Sequence, residues 1–306
     1  MVLEGYASVA IIGAASNIGI RPYDDGREPR HLDRAPAALR ARGLVGRLCA
    51  TDLGDVTPGP YQDFVRPAER VRNEDALVVY NRALASRVSA AVHNRHFVLL
   101  LGGDCSVVLG ALLGARHGAP IGLAYIDGHA DFATPQESGT GSAASMCLAM
   151  AVGRGDSRLS RLSGAGPLVR GTDVVLIGRR DEGEPYGQHA LAPAGILDIT
   201  GRQLLANGSE AVAAATLDRL TRSAPGGFWI HVDADVLDAS VMPAVDSPEP
   251  DGPSLEMLGD LIAELARHPL ALGLELTIYD PKLDPDGTCA ERLVVMLERA
   301  LAGGAA

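Results

Sequence analysis

The 306-residue sequence lacks several features that define whole classes of protein. No apolar run reaches the roughly 18–20 residues that a membrane-spanning helix requires. Its 27 Lys and Arg are outnumbered by 38 Asp and Glu and form no cluster, which argues against nucleic acid as a main partner. The opening stretch MVLEGYASVAIIGAA has neither the basic start nor the cleavage site of a secretory signal. We therefore expect a protein that binds neither membranes nor nucleic acids.

Cysteines and linkers are also scarce. The only cysteines are Cys49, Cys105, Cys147 and Cys289, which are too few for a disulfide scaffold, so we expect a cytoplasmic protein in a reducing compartment. The sequence contains no internal repeat, no low-complexity tract and no long Pro/Ser linker. With 47% hydrophobic and 21% charged residues, the chain is predicted to form a single globular domain over residues 1–306.

Short apolar runs alternate with amphipathic helical stretches along the chain. The predicted strands span residues 7–13, 97–102, 121–127, 173–178, 228–233 and 270–276. Most are almost continuously apolar, which is typical of strands that are buried on both faces. The alternation predicts an α/β fold in which helices cover a mostly parallel sheet.

The helical stretches carry recognisable start signals. Helices are predicted over residues 74–95, 210–223, 255–268 and 288–302. Asn73, Ser209 and Ser254 immediately precede the first three, and we expect each to cap its helix. Two polar, turn-rich segments, 19–36 and 132–146, are interpreted either as surface loops or, for the second, as a loop of the active site. The second interpretation is favoured because ligands bind outside the carboxyl ends of strands in open α/β sheets.

Ligand-type side chains follow three of the predicted strands. They are Asp127, His129 and Asp131 in DGHAD, Asp233 and Asp235 in DAD, and Cys105 in GGDCS. Side chains at alternate positions of an extended chain project to one face, so the residues of each acidic motif should point together. The paired glycines before Cys105 allow a tight turn and a close approach of the backbone.

Four buried carboxylates in one place require compensating positive charge. Two divalent cations would neutralise them, and shared carboxylates would hold the cations about 3.5–4 Å apart. The alternative is that one Asp pair caps helices and that His129 is an ordinary polar core residue. The second acidic motif and the cysteine on a third strand favour the interpretation as a metal site.

The same residues carry a resemblance to a known family. GGDCS at 102–106, DGHADF at 127–132 and HVDADVLD at 231–238 resemble the signature blocks of the ureohydrolases, which include arginases and agmatinases. The resemblance extends from IIGA at 11–14 to LTIYDPKLDPDG at 276–287. It implies a three-layer α/β/α domain with two manganese ions, whose bridging hydroxide attacks a guanidinium or amidine carbon and releases urea or an analogue.

The resemblance also implies a role for each ligand. Asp127 and Asp233 would bridge both metals, while Asp131 would complete the shell of one metal and accept a hydrogen bond from the hydroxide. Asp127, Asp131 and Asp233 are therefore the predicted catalytic residues, and His129 and Asp235 would bind the other metal. Asp238, in contrast, is expected to be structural or to lie behind the ligands.

Cys105 departs from the arginase pattern, because arginases usually carry a histidine ligand there. A thiolate is a competent ligand but adds a fifth negative charge, which favours either a cationic substrate or zinc, iron or cobalt in place of manganese. The alternative is a small buried thiol beside a site that uses one metal. A branch of N-hydroxyarginine hydrolases also has cysteine at this position, and CSVVLGAL and YIDGHADFATP resemble that branch.

The predicted substrate contacts depart from the pattern as well. These residues are Thr140, Ser145, Asp181, Glu182, Glu275 and Ile278, with Glu184 as an alternative to Glu182. Ile278 aligns with a glutamate that pairs with guanidinium in arginases, and Ser145 lies where arginases have a histidine proton shuttle. The acids at 181–184 are either grips for a substrate amino group or solvated loop charges, and Glu275 or one of these acids could supply the missing counter-charge. Specificity for arginine therefore does not follow.

Three readings of the function remain open. The first is a dinuclear-metal amidinohydrolase of a small molecule, with an N-hydroxyguanidino, ureido or formimino group as an alternative to arginine. The second is a degenerate member that binds metal or ligand without turnover. The third, a deacetylase-type hydrolase, is disfavoured because no tandem histidines precede DGHAD. The family resemblance also raises the expectation of a homo-oligomer.

Overall fold

A computed structural model describes residues 5–23, 28–62, 69–116, 118–164, 166–181, 187–224 and 226–302. One eight-stranded sheet organises them. Its strands are β1 (Val9–Ala14), β2 (Thr51–Val56), β3 (Phe97–Leu101), β4 (Gly122–Ile126), β5 (Val174–Ile177), β6 (Leu197–Ile199), β7 (Phe228–Asp233) and β8 (Ala271–Thr277). Their order across the sheet is β2-β1-β3-β8-β7-β4-β5-β6, and every pair of neighbours is parallel.

The sequence predicted six of these strands to within one or two residues. Strands β1, β3, β4, β5 and β7 are buried at every position, as their continuous apolar runs require. Strands β2 and β6 were not predicted from the sequence. Both are the outermost strands of the sheet. The sequence of β2, TDLGDV, is polar and largely solvent-accessible, whereas β6, LDI, is only three residues long, so neither has the long apolar run of a central strand.

Eight α-helices are found in the described part of the chain. They are α1 (Ala35–Ala41), α2 (Leu44–Arg47), α3 (Glu74–His93), α4 (Val108–Ala115), α5 (Cys147–Ala151), α6 (Gly201–Ser223), α7 (Leu255–Ala266) and α8 (Thr288–Leu301). Helices α3, α4 and α5 pack side by side in one row, and α1, α8, α7 and α6 form another row. The two rows and the sheet give the predicted three-layer α/β/α architecture. None of the helices in the described ranges is long and apolar enough to cross a membrane.

The helix starts agree only in part with the sequence analysis. Ser254 caps α7 as predicted, because its side chain accepts a hydrogen bond from Met257 N. Asn73 occupies the N-cap position of α3 as predicted, but its side chain does not cap the helix: its backbone is left-handed, and its side-chain amide donates to the carbonyl of Ile18.

The stretch expected to begin after Ser209 begins earlier. Thr200 and Gln203 form a capping box at the start of α6. Gly208, with φ 80° and ψ 165°, then interrupts the helical conformation one residue before Ser209. The segment is therefore two helical pieces joined at a glycine kink, and the sequence analysis recognised only the second piece.

The parallel sheet brings the predicted ligands together. Strands β3, β8, β7, β4 and β5 are consecutive across the sheet, and their carboxyl ends lie at one edge. The segments that follow β3, β4 and β7 are those that carry the cysteine, histidine and acidic residues. The architecture thus explains how motifs more than 100 positions apart in the chain can form one site.

Candidate metal centre

The turn that presents Cys105 is held by its neighbours. The carboxylate of Asp104 accepts hydrogen bonds from the backbone and the hydroxyl of Ser106, and this fixes the start of a short 3₁₀ helix. A Cβ on Gly103 would lie 1.8 Å from the carbonyl oxygen of Ser16, so only glycine fits. These contacts bury the Cys105 thiol and direct it toward the end of β7.

Three carboxylates each use one oxygen to fix the backbone of the site. Oδ1 of Asp127 accepts a hydrogen bond from His129 N at 2.7 Å, and Oδ1 of Asp233 accepts one from Asp235 N at 2.8 Å. Oδ1 of Asp235 accepts a longer bond, 3.2 Å, from Gly128 N. The two strand-end segments therefore order each other, and each carboxylate keeps its Oδ2 for another partner.

The remaining donor atoms form two adjoining groups. The first contains Cys105, Asp127, His231 and Asp233, and the second contains Asp127, His129 and Asp235; within each group the ligand atoms lie within 4.8 Å of one another. Cys105 Sγ donates to Asp233 Oδ2 at 2.7 Å, and His129 Nδ1 lies 3.1 Å from Asp235 Oδ2. Asp127 belongs to both groups, which is the arrangement expected of a bridging carboxylate.

The clustered negative charges of these groups favour the binding of protons or cations. Burial and the neighbouring Asp235 raise the pKa of Asp127, and burial with Asp235 and Asp127 raises the pKa of Asp233 well above its usual range. Burial by itself would lower the pKa of His129, but the carboxylates of Asp235 and Asp127 outweigh it and the net shift is upward. Burial also raises the pKa of the Cys105 thiol. Bound cations would lower all of these pKa values, because they stabilise ionised carboxylates and thiolate and repel a protonated imidazole.

The residues fit divalent cations. Oδ2 of Asp127 and Nε2 of His231 are buried and have no hydrogen-bond partner among the described residues. Native proteins rarely leave such atoms unpaired, because each loses its hydration without replacement. Carboxylate oxygen, imidazole nitrogen and thiolate sulfur are all common ligands of transition metals. Two divalent ions therefore suit both the unpaired atoms and the donor set.

Asp131 lies beside the two groups but belongs to neither. Its backbone is left-handed, with φ 46°. Its Oδ2 accepts hydrogen bonds from the Tyr125 hydroxyl at 2.7 Å and from the Cys147 thiol at 3.1 Å. Burial and the charge of Asp127 raise the pKa of Asp131 well above its usual range, although Tyr125 and Cys147 oppose that shift.

Two of the predicted substrate contacts lie on or just after β8 and are buried. Glu275 is 0% exposed, and its Oε1 lies 2.6 Å from Nδ1 of His231. Ile278 is 4% exposed and follows β8 with φ 66°, a conformation that strains a β-branched residue. Glu275 is therefore engaged within the protein, and Ile278 offers no charge.

The other predicted substrate contacts lie on loops. Asp181 is buried, and its carboxylate accepts hydrogen bonds from Ala130 N at 3.0 Å and from Arg179 at 3.1 Å. Thr140 and Ser145 make contacts within their own loop, to the backbone of Ser142. Asp181 thus braces the turn that carries the metal-binding motif.

Glu182 and Glu184 lie outside the described residues. Asp238 has the structural role that was expected, since it accepts hydrogen bonds from the backbone and side chain of Ser240.

The two polar segments meet near the site. Ala144 N donates to the carbonyl of Gly19, and Arg21 N donates to the Ser142 hydroxyl. The second segment is also held by Glu137, whose carboxylate pairs with Arg154. Both polar segments therefore lie at the edge of the sheet that carries the ligand groups, where the sequence interpretation favoured an active-site loop.

Several residues that shape the site were not predicted from the sequence. His231 precedes Asp233 by two positions, so strand alternation could have shown that both face the same side. Tyr125 likewise precedes Asp127 by two positions. Cys147 carried no such signal, because it lies 16 residues after Asp131 and reaches it only through the fold.

Comparisons with known proteins agree with this geometry. The model of the arginase family matches residues 7–302. The chain is 30% identical over 288 residues to an arginase of Bacillus subtilis (strain 168), covering 92% of this chain and 95% of that protein. It is 31% identical over 291 residues to an arginase of Bacillus caldovelox, covering 92% and 96%. The native structure of the Bacillus caldovelox arginase at pH 5.6 superimposes with a TM-score of 0.86 at 28% identity, covering 98% of this chain and 99% of that one.

Proposed function

The chain belongs to the arginase family of dinuclear-metal amidinohydrolases, and from this premise we propose that it cleaves a C–N bond of a small guanidino or amidino compound. The products would be an amine and urea or a urea analogue. The proposed ligands are Cys105, Asp127, His129, Asp131, Asp233 and Asp235, with two divalent cations as cofactors.

The observation that carries the proposal is the position of Asp127. This carboxylate is shared by two groups of ligand atoms, each compact enough for one cation. Adjacent sites joined by a common carboxylate are the arrangement on which two-metal hydrolases depend. Manganese is the cation usual in the family, whereas the thiol of Cys105 favours zinc, iron or cobalt.

The residues of the chain divide the remaining tasks. When bound, the cation pair supplies Lewis acidity and lowers the pKa of coordinated water. Asp131 holds its position through Tyr125 and Cys147, both of which bond to Oδ2, so its Oδ1 remains to accept a proton during the reaction. Backbone N–H groups hold the carboxylates of Asp127 and Asp233 in fixed orientations, so these side chains would hold the cations in place.

We propose that the group of the substrate that is hydrolysed needs a carboxylate partner less than the guanidinium of arginine does. Glu275 pairs with His231, Asp181 pairs with Arg179, and Ile278 is apolar. These contacts favour an N-hydroxyguanidino or formimino group over the guanidinium of free arginine. The alternative function is a degenerate member that binds metal and ligand without turnover.

A substrate screen on metal-loaded protein tests the proposal. Arginine, agmatine, guanidinobutyrate, N-hydroxyarginine and formiminoglutamate would be compared by the release of urea, N-hydroxyurea, ammonia or formamide, with metal content measured in parallel. We expect two cations per chain and turnover of at least one amidine. Two bound cations with no turnover on any of these compounds would support the degenerate alternative.

The proposal extends to the setting of the enzyme. All four cysteines are free in the structure, which suits a reducing cytoplasm. We propose that residues 1–306 act as one catalytic domain on a small molecule, without nucleic acid or membrane partners, and assemble as a homo-oligomer. Gel filtration with light scattering would measure the assembly.

A further inference from the structure

His231 occupies a buried position in the middle of β7, beneath the two ligand groups. It is 0% exposed. The strand register pairs it with Tyr125 on β4 and with Glu275 on β8. Its ring stacks on Tyr125, with ring centres 4.1 Å apart and an interplanar angle of 15°. The imidazole is therefore held on both sides by neighbouring strands and has a single orientation.

The two ring nitrogens of His231 have different surroundings. Nδ1 lies 2.6 Å from Oε1 of Glu275, which is a short hydrogen bond. Nε2 has no hydrogen-bond partner, and it lies 3.9 Å from Oδ2 of Asp127, too far for a hydrogen bond. Oδ2 of Asp127 is itself buried and unpaired. Two unpaired atoms, one nitrogen and one oxygen, thus face the same small space.

The geometry points to His231 as a metal ligand: we propose that its Nε2 binds the cation shared by Cys105, Asp127 and Asp233. The four ligand atoms lie within 4.8 Å of one another. Glu275 would then act as a positioning residue, since carboxylates commonly hold the second nitrogen of a ligating histidine and fix its tautomer. The inference rests on the proposed function only in requiring that a cation binds there.

This assignment changes the chemistry of the group that contains Cys105. Its donor set becomes one sulfur, one nitrogen and two carboxylates. Thiolate and imidazole ligands suit zinc, cobalt and iron better than manganese, which prefers oxygen. We expect this group to select such a metal, while the group of Asp127, His129 and Asp235 remains richer in oxygen. In this assignment His231 joins Cys105, Asp127 and Asp233 as a ligand that the family resemblance does not supply.

Cobalt(II) provides a direct test, because protons near the bound ion shift far outside the normal proton NMR range. In cobalt-loaded wild-type protein, we expect a hyperfine-shifted imidazole N–H that exchanges slowly with D2O. It would come from Nδ1–H of His231, which is buried against Glu275, whereas the ring of His129 is partly exposed. His231→Gln should abolish this signal, and His93→Gln, at the exposed end of α3, should leave it unchanged.

Cobalt affinity supplies a second readout. Glu275→Gln should weaken binding to the first group by about 10–100-fold, the usual effect of losing an outer partner of a metal ligand. His231→Gln should weaken it further. Glu275→Gln preserves side-chain volume, so it tests the proposal even if His231→Gln fails to fold, and circular dichroism of the metal-free variants checks the fold. In Glu275→Gln the shifted N–H should exchange faster, because its acceptor is altered.

Two results would overturn the assignment. One is a slowly exchanging shifted N–H that survives in folded His231→Gln. The other is an Asp131→Asn variant that loses the cobalt of this group while His231→Gln retains it at wild-type affinity. The measurements do not depend on turnover: amidine hydrolysis without the His231 signal would refute this inference alone, and the signal without hydrolysis would refute only the proposed function.

Discussion

The thiol of Cys105 lies 2.7 Å from Oδ2 of Asp233, although β8 separates the strands that carry them. The short helix after β3 turns the thiol over the end of β8, where Sγ also lies 3.7 Å from the hydroxyl of Thr277. This relationship places the cysteine among the acids of the site. It favours a role for Cys105 as a metal ligand over that of a buried thiol that binds no metal.

Substitution of Cys105 should therefore change the metal. Cobalt-loaded wild-type protein should show a thiolate-to-cobalt absorption band in the near ultraviolet, and Cys105→Ala should remove it. Cys105→His should retain the cation and shift preference toward manganese, because the soft sulfur ligand is lost. Cys49→Ala, at an exposed position, is the control. Unchanged metal content and spectrum in both Cys105 variants would exclude the thiol from the site.

The shared carboxylate predicts unequal effects of similar substitutions. Asp127→Asn should abolish binding of both cations, because both groups include Asp127. Asp235→Asn should impair only the group that contains His129. Metal analysis after dialysis measures the difference, and Asp238→Asn, whose carboxylate accepts hydrogen bonds from Ser240 and belongs to neither ligand group, is the matched control. Loss of the same single cation from the first two variants would contradict the shared role.

Asp181 is expected to act on the metal site rather than on the substrate. Asp181→Ala leaves the buried Ala130 N–H unpaired and should lower the free energy of unfolding by about 1–3 kcal/mol. Metal affinity should also fall, because the DGHAD turn loses its brace. Asp198→Asn, which removes charge from another partner of Arg179, is the control. A selective rise in KM at unchanged metal affinity would instead support contact with a substrate amino group.

The pair formed by Glu137 and Arg154 predicts a pH dependence. The hydrogen bond from Arg154 is the main cause that lowers the pKa of Glu137 from 4.5 to about 2. A depressed carboxyl pKa stabilises the protein above pH 4.5, and the contribution is lost as the pH falls toward about 2. Glu137→Gln should reduce the free energy of unfolding by about 0.2–1 kcal/mol at neutral pH, since the pair is solvent-screened. Urea unfolding at a series of pH values measures this difference.

A double-mutant cycle provides the check on that prediction. In an Arg154→Met background, Glu137→Gln should have little effect at any pH, because the charged partner is absent. A stability difference that stays constant as the pH falls would show that the ion pair does not cause it.

The sequence predicted the buried central strands of the sheet better than its outermost strands. Continuous apolar runs marked the buried strands, and parallel order then required their carboxyl ends to meet, so the convergence of Asp127, Asp233 and Cys105 followed from pattern alone. β2 was missed because an edge strand such as TDLGDV needs little apolar surface. The Thr200–Gln203 capping box has a recognisable sequence pattern, but the glycine kink at 208 separates it from the apolar stretch that follows Ser209.

Other details of the site depend on geometry that a sequence does not display. The pairing of His231 with Glu275 follows from the register between β7 and β8, which composition does not specify. The direction of the Asp131 carboxylate follows from a backbone with φ 46°. The residue types of Asp131 and its neighbours do not predict that conformation. The motifs therefore located the site, whereas the contacts that tune each residue required the structure.

All the ligand groups lie at the carboxyl edge of the sheet, and the opposite edge carries none of them. The turns at that far side include exposed Asn94, just before β3, and Arg267, just before β8. A fluorophore, purification handle or surface tether attached there would stand a full strand length from the chemistry. Such attachment points would let the enzyme be immobilised or tracked while the carboxyl ends of the strands, which carry the ligand groups, remain accessible to solution.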